Sequence, residues 1–225
     1  MSETENKFDI EKQRTPFVES PFYLLLRDKF LDNKLLSVSD NLNKKGYAIV
    51  DLNIPNEIID TANNDIENAI LQNSYKKNAE TYHYNESPRI VEAWKFSNSI
   101  RQILSNTYLL EILKFCYQSN PIPISTINFL KGSEQPFHSD EFHYGSLPHR
   151  YLTGVWVALE DINPDSGPLS LVEGSHKFPI FSLEQIGIKN PKNEKQQKEI
   201  YTVYEEWAAE MIKAHKLKIV TPNVK

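Results

Sequence analysis

The chain divides by its hydrophobic spacing into a helical front, a middle of short apolar runs and a helical close. After a polar start, SPFYLLLRDKFLDNKLLSVSDNLNKKG predicts one or two short helices stopped at Gly46, since glycine suits the position that follows a helix. YAIVDL, from Tyr47, predicts a short strand. Pro55 stands as at a first helical turn, and Ile58, Ala62, Ile66, Ala69 and Ile70 then fall on one face, the spacing of a packing helix. YLLEILKFCYQ repeats the helical pattern, and Asn120 before Pro121 closes it because a residue preceding proline avoids the helical region.

From Ile122 the texture changes. IPISTINFL, QPFHSDEF, RYLTGVWVAL and GPLSLV are short β-rich runs, separated by KGSE, GSLPH and EDINPDSG, whose glycine, proline, asparagine and aspartate favour turns. Gly167 and Pro168 read as turn chemistry, the glycine taking a positive φ. Consecutive short strands point to a sandwich or barrel rather than a doubly wound α/β sheet. Near the end, Ile200, Val203, Tyr204, Trp207, Ala208, Met211 and Ile212 follow helical spacing and predict a helix on the core, with Trp207 as packing. HKLKIVTPNVK then begins a strand.

Composition narrows the class. With 225 residues, 40% hydrophobic and 24% charged, the chain matches one soluble domain. That domain is expected over 20–225, after a flexible segment 1–19 whose opening, MSETENKFDIEKQR, is polar throughout and unlike a secretory signal. No apolar run approaches the roughly 20 residues of a membrane span. A net charge of -5 with no compensating cluster of lysine and arginine argues against a nucleic-acid surface, and KNPKNEKQQK reads as a solvated loop. Cys116 is the single cysteine, so no disulfide framework exists and a reducing cytoplasm is the expected setting.

The candidate chemistry sits in EQPFHSDEFHYGSLPHR, Glu134 to Arg150, which holds three histidines and three carboxylates. His138 and Asp140 are two apart, so on an extended segment their side chains leave one face and can converge on one ion. Two histidines and a carboxylate on one face of an iron(II) ion leave its other positions open for substrate and oxygen. Alone, His-x-Asp is a weak signal. His149, beside Arg150, reads as solvated, and His83, in ETYHYNES, carries no assignment.

TINFLKGSEQPFHSDEFHY followed by TGVWVALEDINPDSGPLSLVEGSHK resembles the phytanoyl-CoA dioxygenase family of iron(II)- and 2-oxoglutarate-dependent oxygenases. The shared features are Gln135-x-x-His138-x-Asp140, GVWVALED, DSGPL and the GSHK element from Gly174 to Lys177, with weaker likeness upstream in LNKKGYAIVDLNIP and PRIVEAWKFSNSIRQIL. The resemblance implies a mainly β fold with flanking helices, a double-stranded β-helix (jelly roll, cupin-like). It also implies Fe(II), 2-oxoglutarate as co-substrate, O2, and hydroxylation of a small-molecule substrate with succinate and CO2 as co-products. His138 and Asp140 match the first two iron ligands and are the expected catalytic residues. Trp156 matches an aromatic lining the 2-oxoglutarate pocket, and Asn128 and Gln135 match polar positions beside it. His143 and Tyr144 follow the ligands where substrate would approach. Arg89 or Lys95 corresponds loosely to a basic residue that helps hold the oxoacid, against a surface ion pair as the plain alternative. His176 matches a family element that is not a ligand, so a hydrogen bond fixing its turn is expected.

The resemblance further implies a third ligand, a histidine on a late strand, and then an arginine for the distal carboxylate of 2-oxoglutarate. Neither has a match before Lys225. The chain is thus expected to be the front of a longer protein, its jelly roll incomplete at the C-terminus and inactive alone. Two rival readings use the same residues. One is a non-catalytic relative that binds a small molecule or partner protein. The other is a cupin-like enzyme with zinc or manganese on His138, Asp140 and His143.

Overall fold

Most of the regular structure is helix. The structure, a computed structural model, describes residues 15–74, 89–130, 132–133, 135–179 and 192–224. Among the described residues about 49% are helical and 6% are strand, which overturns the expected mainly β jelly roll. The strands form two antiparallel pairs. β1 (Arg89–Val91) pairs with β2 (Ile127–Phe129), placing Ile90 opposite Asn128. β3 (Leu171–Val172) pairs with β4 (Ile219–Val220), placing Leu171 opposite Val220.

The physical reason lies in what a strand requires. Alternating apolar residues favour extended backbone, but a strand exists only where a neighbour accepts and donates its hydrogen bonds. The runs Tyr47–Leu52 and Arg150–Leu159 lie outside any ladder and line a cavity instead. Side chains satisfy some of their carbonyls one at a time. Asn63 donates to the Leu159 carbonyl at 2.8 Å, and the Tyr117 hydroxyl to the Leu152 carbonyl at 3.4 Å. QPFHSDEF is likewise no strand, because a helix begins inside it at Asp140.

Helices carry the core. α1 (Tyr23–Arg27) and α2 (Asn33–Lys45) arise from the front segment, and Asp32 caps α2 by accepting from the Lys34 and Leu35 amides. α3 (Asn56–Leu71) follows Pro55, which occupies the cap position. α4 (Asn98–Leu104) was not visible in the apolar spacing, because seven residues give barely two turns of pattern; Ser97, accepting from the Ile100 amide, marks its start. α5 (Thr107–Tyr117) is capped by Asn106 and ends with Gln118 in the left-handed region. α6 (Asp140–Tyr144) is a single short turn, and α7 (Glu194–Ala214) is capped by Asn193.

Two apolar pads result. Ala62 and Ile66 of α3 pack with Ile90, Ala93, Ile100 and Ile103. Val18, Leu35, Ile112 and Cys116 form the second, continued by Phe17, Tyr23 and Leu26. Positions 1–14 of the expected flexible segment lie outside the described residues, whereas Phe17 and Val18 are buried. The Cys116 thiol is buried, and burial pushes its pKa up to about 12. Among the described residues no helix is long and apolar enough to cross a membrane.

The end of α2 is pinned to the GSHK turn. Gly46 has φ +87°, and the Gly174 amide donates to the Lys45 carbonyl at 2.8 Å. His176 donates from Nε2 to the Asn43 carbonyl at 2.9 Å, so its ring lies over Gly46, where a Cβ would meet Nδ1 at 2.5 Å. Gly46→Ala is expected to lose roughly 1–2 kcal/mol from the left-handed backbone alone and more from the contact. Denaturant midpoints of the single variant and of Gly46→Ala with His176→Ala should show recovery of the contact part only.

Asp40 of α2 receives Arg27 Nε at 2.9 Å and Nη2 at 2.8 Å, and the Tyr23 hydroxyl at 2.7 Å. The Arg27 guanidinium holds the Asp40 carboxyl below its ordinary value of 3.8. A depressed carboxylate stabilises the fold above the unfolded pKa and ceases to do so as pH falls through the folded value. Asp40→Asn should therefore lower the melting temperature at neutral pH, and the gap from the wild type should close as pH drops below about 4; melting curves across pH check this.

Candidate metal centre

His138 and Asp140 straddle the start of α6. His138 precedes it, Ser139 is its extended N-cap with φ -105° and ψ 129°, and Asp140 is its first residue. The extended cap still sends both side chains to one side, so the expected convergence occurs at a helix start rather than along a strand. His138 Nε2 lies 3.5 Å from Asp140 Oδ1. His138 Nδ1 is 2.8 Å from the Pro136 carbonyl, which can only accept. Nδ1 therefore carries the hydrogen, and in the neutral ring the Nε2 lone pair faces the carboxylate. Two lone-pair groups held this way favour a cation between them. A proton is the simplest one, and the facing carboxylate raises the pKa of His138 while the ring lowers that of Asp140.

The carboxylate has a close neighbour. A Cβ on Gly154 would stand 2.7 Å from Asp140 Oδ2, so the bare glycine makes room for Asp140. Sequence reasoning missed Gly154. An isolated glycine inside the apolar run TGVWV is the signal that could have found it, since it marks a close approach.

His143 sits next in line. Its ring centroid is 4.9 Å from that of His138, edge to face, and burial lowers its pKa to about 4. Among the described residues no three His, Cys, Asp or Glu side chains gather closely enough to hold a metal, so His143 does not complete a set with the pair. Glu141, which also lines the cavity described below, organises the following loop. Its Oε1 accepts from the Ser146 amide and hydroxyl, the Arg150 amide and His149 Nδ1.

His138 and Asp140 open onto a cavity of about 1260 Å³, and Trp156, Trp207 and Met211 share its wall. Trp156 is half-exposed, and Trp207 lies 6.1 Å from Tyr204 while lining the space it was expected only to pack beneath. Asn128 and Gln135 do not line this cavity. Asn128 is on β2 with Oδ1 buried and unpartnered, and the Gln135 amide donates to Ser133 Oγ at 3.5 Å. Tyr144 is 55% exposed at the end of α6, away from the wall. Lys95 pairs with Glu92 at 2.9 Å on the surface, and Arg89 reaches the Ser133 carbonyl at 3.3 Å. His149 is mostly exposed, and His83 lies outside the described residues. Arg150 is the one arginine or lysine among the described residues of the wall.

A family model, phytanoyl-CoA dioxygenase (PhyH), matches residues 42–213. The chain belongs to the phytanoyl-CoA dioxygenase family. This match spans the His138–Asp140 pair, Gly154, Trp156 and nearly all of α7. Comparison with curated proteins and with solved structures finds no match. Phytanoyl-CoA dioxygenase family membership implies oxygenase-type enzymology, in a family that generally depends on iron(II) and 2-oxoglutarate.

Gly154→Ala tests the packing around the carboxylate. The methyl group should push the flexible end of Asp140 away from His138 with little change in melting temperature. The upward shift that the carboxylate gives the His138 pKa should shrink, as followed by NMR titration of the His138 ring.

Proposed function

We propose that the protein is an Fe(II)- and 2-oxoglutarate-dependent dioxygenase that hydroxylates a small-molecule substrate in the cavity beside His138 and Asp140, with succinate and CO2 as co-products. The observation that carries this reading is the pair itself, with Nε2 and Oδ1 facing across 3.5 Å at the cavity wall. Imidazole nitrogen with carboxylate oxygen is a donor set suited to iron(II), and the family supplies the expectation of that metal. His138 and Asp140 would hold the ion. When bound, iron with 2-oxoglutarate and O2 supplies the oxidising power to insert oxygen into a C–H bond.

The rest is the work of the chain's own groups. Pro136, by accepting from His138 Nδ1, fixes the tautomer of the neutral ring in which Nε2 carries the lone pair aimed at the site. Gly154 leaves space in which the Asp140 carboxylate keeps its orientation. Trp156, Trp207 and Met211 provide apolar wall against which an organic substrate can exclude water. Asn128, Gln135, His143 and Tyr144 have no such support from the cavity geometry.

The test is anaerobic titration of the purified chain with Fe(II), then 2-oxoglutarate, followed by visible absorption and succinate assay under O2. Binding of iron and appearance of the charge-transfer band of the iron–oxoacid complex are expected, and His138→Ala and Asp140→Ala should reduce both to background. Equal iron binding by wild type and His138→Ala would overturn the proposal. Zinc retained through aerobic purification, with no response to 2-oxoglutarate, would favour the zinc enzyme.

A further inference from the structure

The His138–Asp140 pair sits at the start of a helix too short to hold itself. α6 has five residues and its N-cap Ser139 makes no side-chain cap bond, so the segment takes its position from packing. That packing comes from one turn of α7. The Tyr204 hydroxyl accepts from the Ser139 amide at 2.9 Å, and the amide belongs to the residue between His138 and Asp140. Phe142 of α6 stacks on the Tyr204 ring with centroids 3.6 Å apart and planes 5° from parallel. One turn earlier, Tyr201 lies 5.1 Å from the His143 ring, which meets His138. Tyr204 is 6% exposed.

We propose that Tyr204 is a positioning residue for the His138–Asp140 pair, acting through its hydrogen bond to the Ser139 amide and its stack on Phe142; this rests on reading the pair as an iron site. The two contacts fix different things. The stack sets the height of α6 against α7, as phenylalanine would do equally well. The hydroxyl sets the plane of the peptide between His138 and Ser139, and with it the direction in which both ligands leave the backbone. A buried tyrosine oxygen normally has a partner, and here the partner is the amide of the residue that separates the two ligands.

Tyr204→Phe separates these contacts, since it keeps the ring and removes the hydroxyl. In the metal-free protein, hydrogen exchange at the Ser139 amide should accelerate about tenfold, while melting temperature and circular dichroism stay near wild type. Fe(II) affinity should weaken about tenfold, as for loss of other groups that orient ligands, and the signal of a Cu(II) probe at the site should broaden in electron paramagnetic resonance. Unchanged Ser139 exchange, or unchanged iron affinity where His138→Ala abolishes binding, would overturn the proposal. Failure of the wild-type chain to bind iron would overturn the oxygenase reading and the ligand role of the pair, while the exchange measurement would still decide whether Tyr204 holds this segment.

Discussion

Arg150 joins the irregular part of the molecule to its helical part. Its guanidinium donates to Glu19 at 2.5 Å and to the carbonyls of His176 and Phe178 at 2.6 Å each. A planar fork with several donors can serve three acceptors at once, which a lysine could not do in the same geometry. Its own backbone takes φ +73°, and its amide is fixed by Glu141. Glu19 belongs to the buried front segment, His176 to the turn over Gly46, and Glu141 to the helix that carries Asp140. With so few ladder hydrogen bonds available, the segments around the cavity depend on side chains such as this one. The Thr153 hydroxyl, bonded to Tyr117, works in the same way.

Helices were legible in the sequence where their pattern was long. The stripe from Ile58 to Ile70 and the stop at Gly46 both appear where spacing and glycine chemistry put them. α7 also forms, although Val203 of its predicted core stripe is exposed and Trp207 and Met211 face the cavity. The strands were legible only in part: β2, β3 and β4 fall inside IPISTINFL, GPLSLV and HKLKIVTPNVK, but YAIVDL and RYLTGVWVAL form none, because alternation reports only that a segment has two unlike faces. Whether GVWVAL joins a sheet depends on a partner at the right distance and register, which no local pattern contains. The same limit hid α4, whose best mark is the small polar cap Ser97.

The site shows the same division. That His138 and Asp140 lie side by side was readable from their spacing, and the surrounding motifs gave the family. What surrounds them was not readable, because Gly154, Glu141 and Tyr204 act through space. Asn128 and Gln135 illustrate the converse. Their positions in the motif suggest the pocket wall, yet a short sheet and a local turn take them elsewhere. Among the described residues no third candidate ligand joins the pair, and the expectation of iron rests on the family, which generally depends on it.

The hydrogen bond from Ser139 to Tyr204 spans 65 positions, that from His176 to Asn43 spans 133, and that from Arg150 to Glu19 spans 131. Helices form from neighbours, but each of these contacts must first close a long loop, and closure entropy grows with loop length. Order along the folding path follows from that asymmetry. The individual helices can form early from local contacts, while the packing of Val18 and Leu35 on Ile112 and Cys116, and the orientation of His138 and Asp140, both wait on the docking of distant segments. A chain that has acquired its helices can therefore still lack the His138–Asp140 arrangement, and helical content alone is no measure of how far this site has formed.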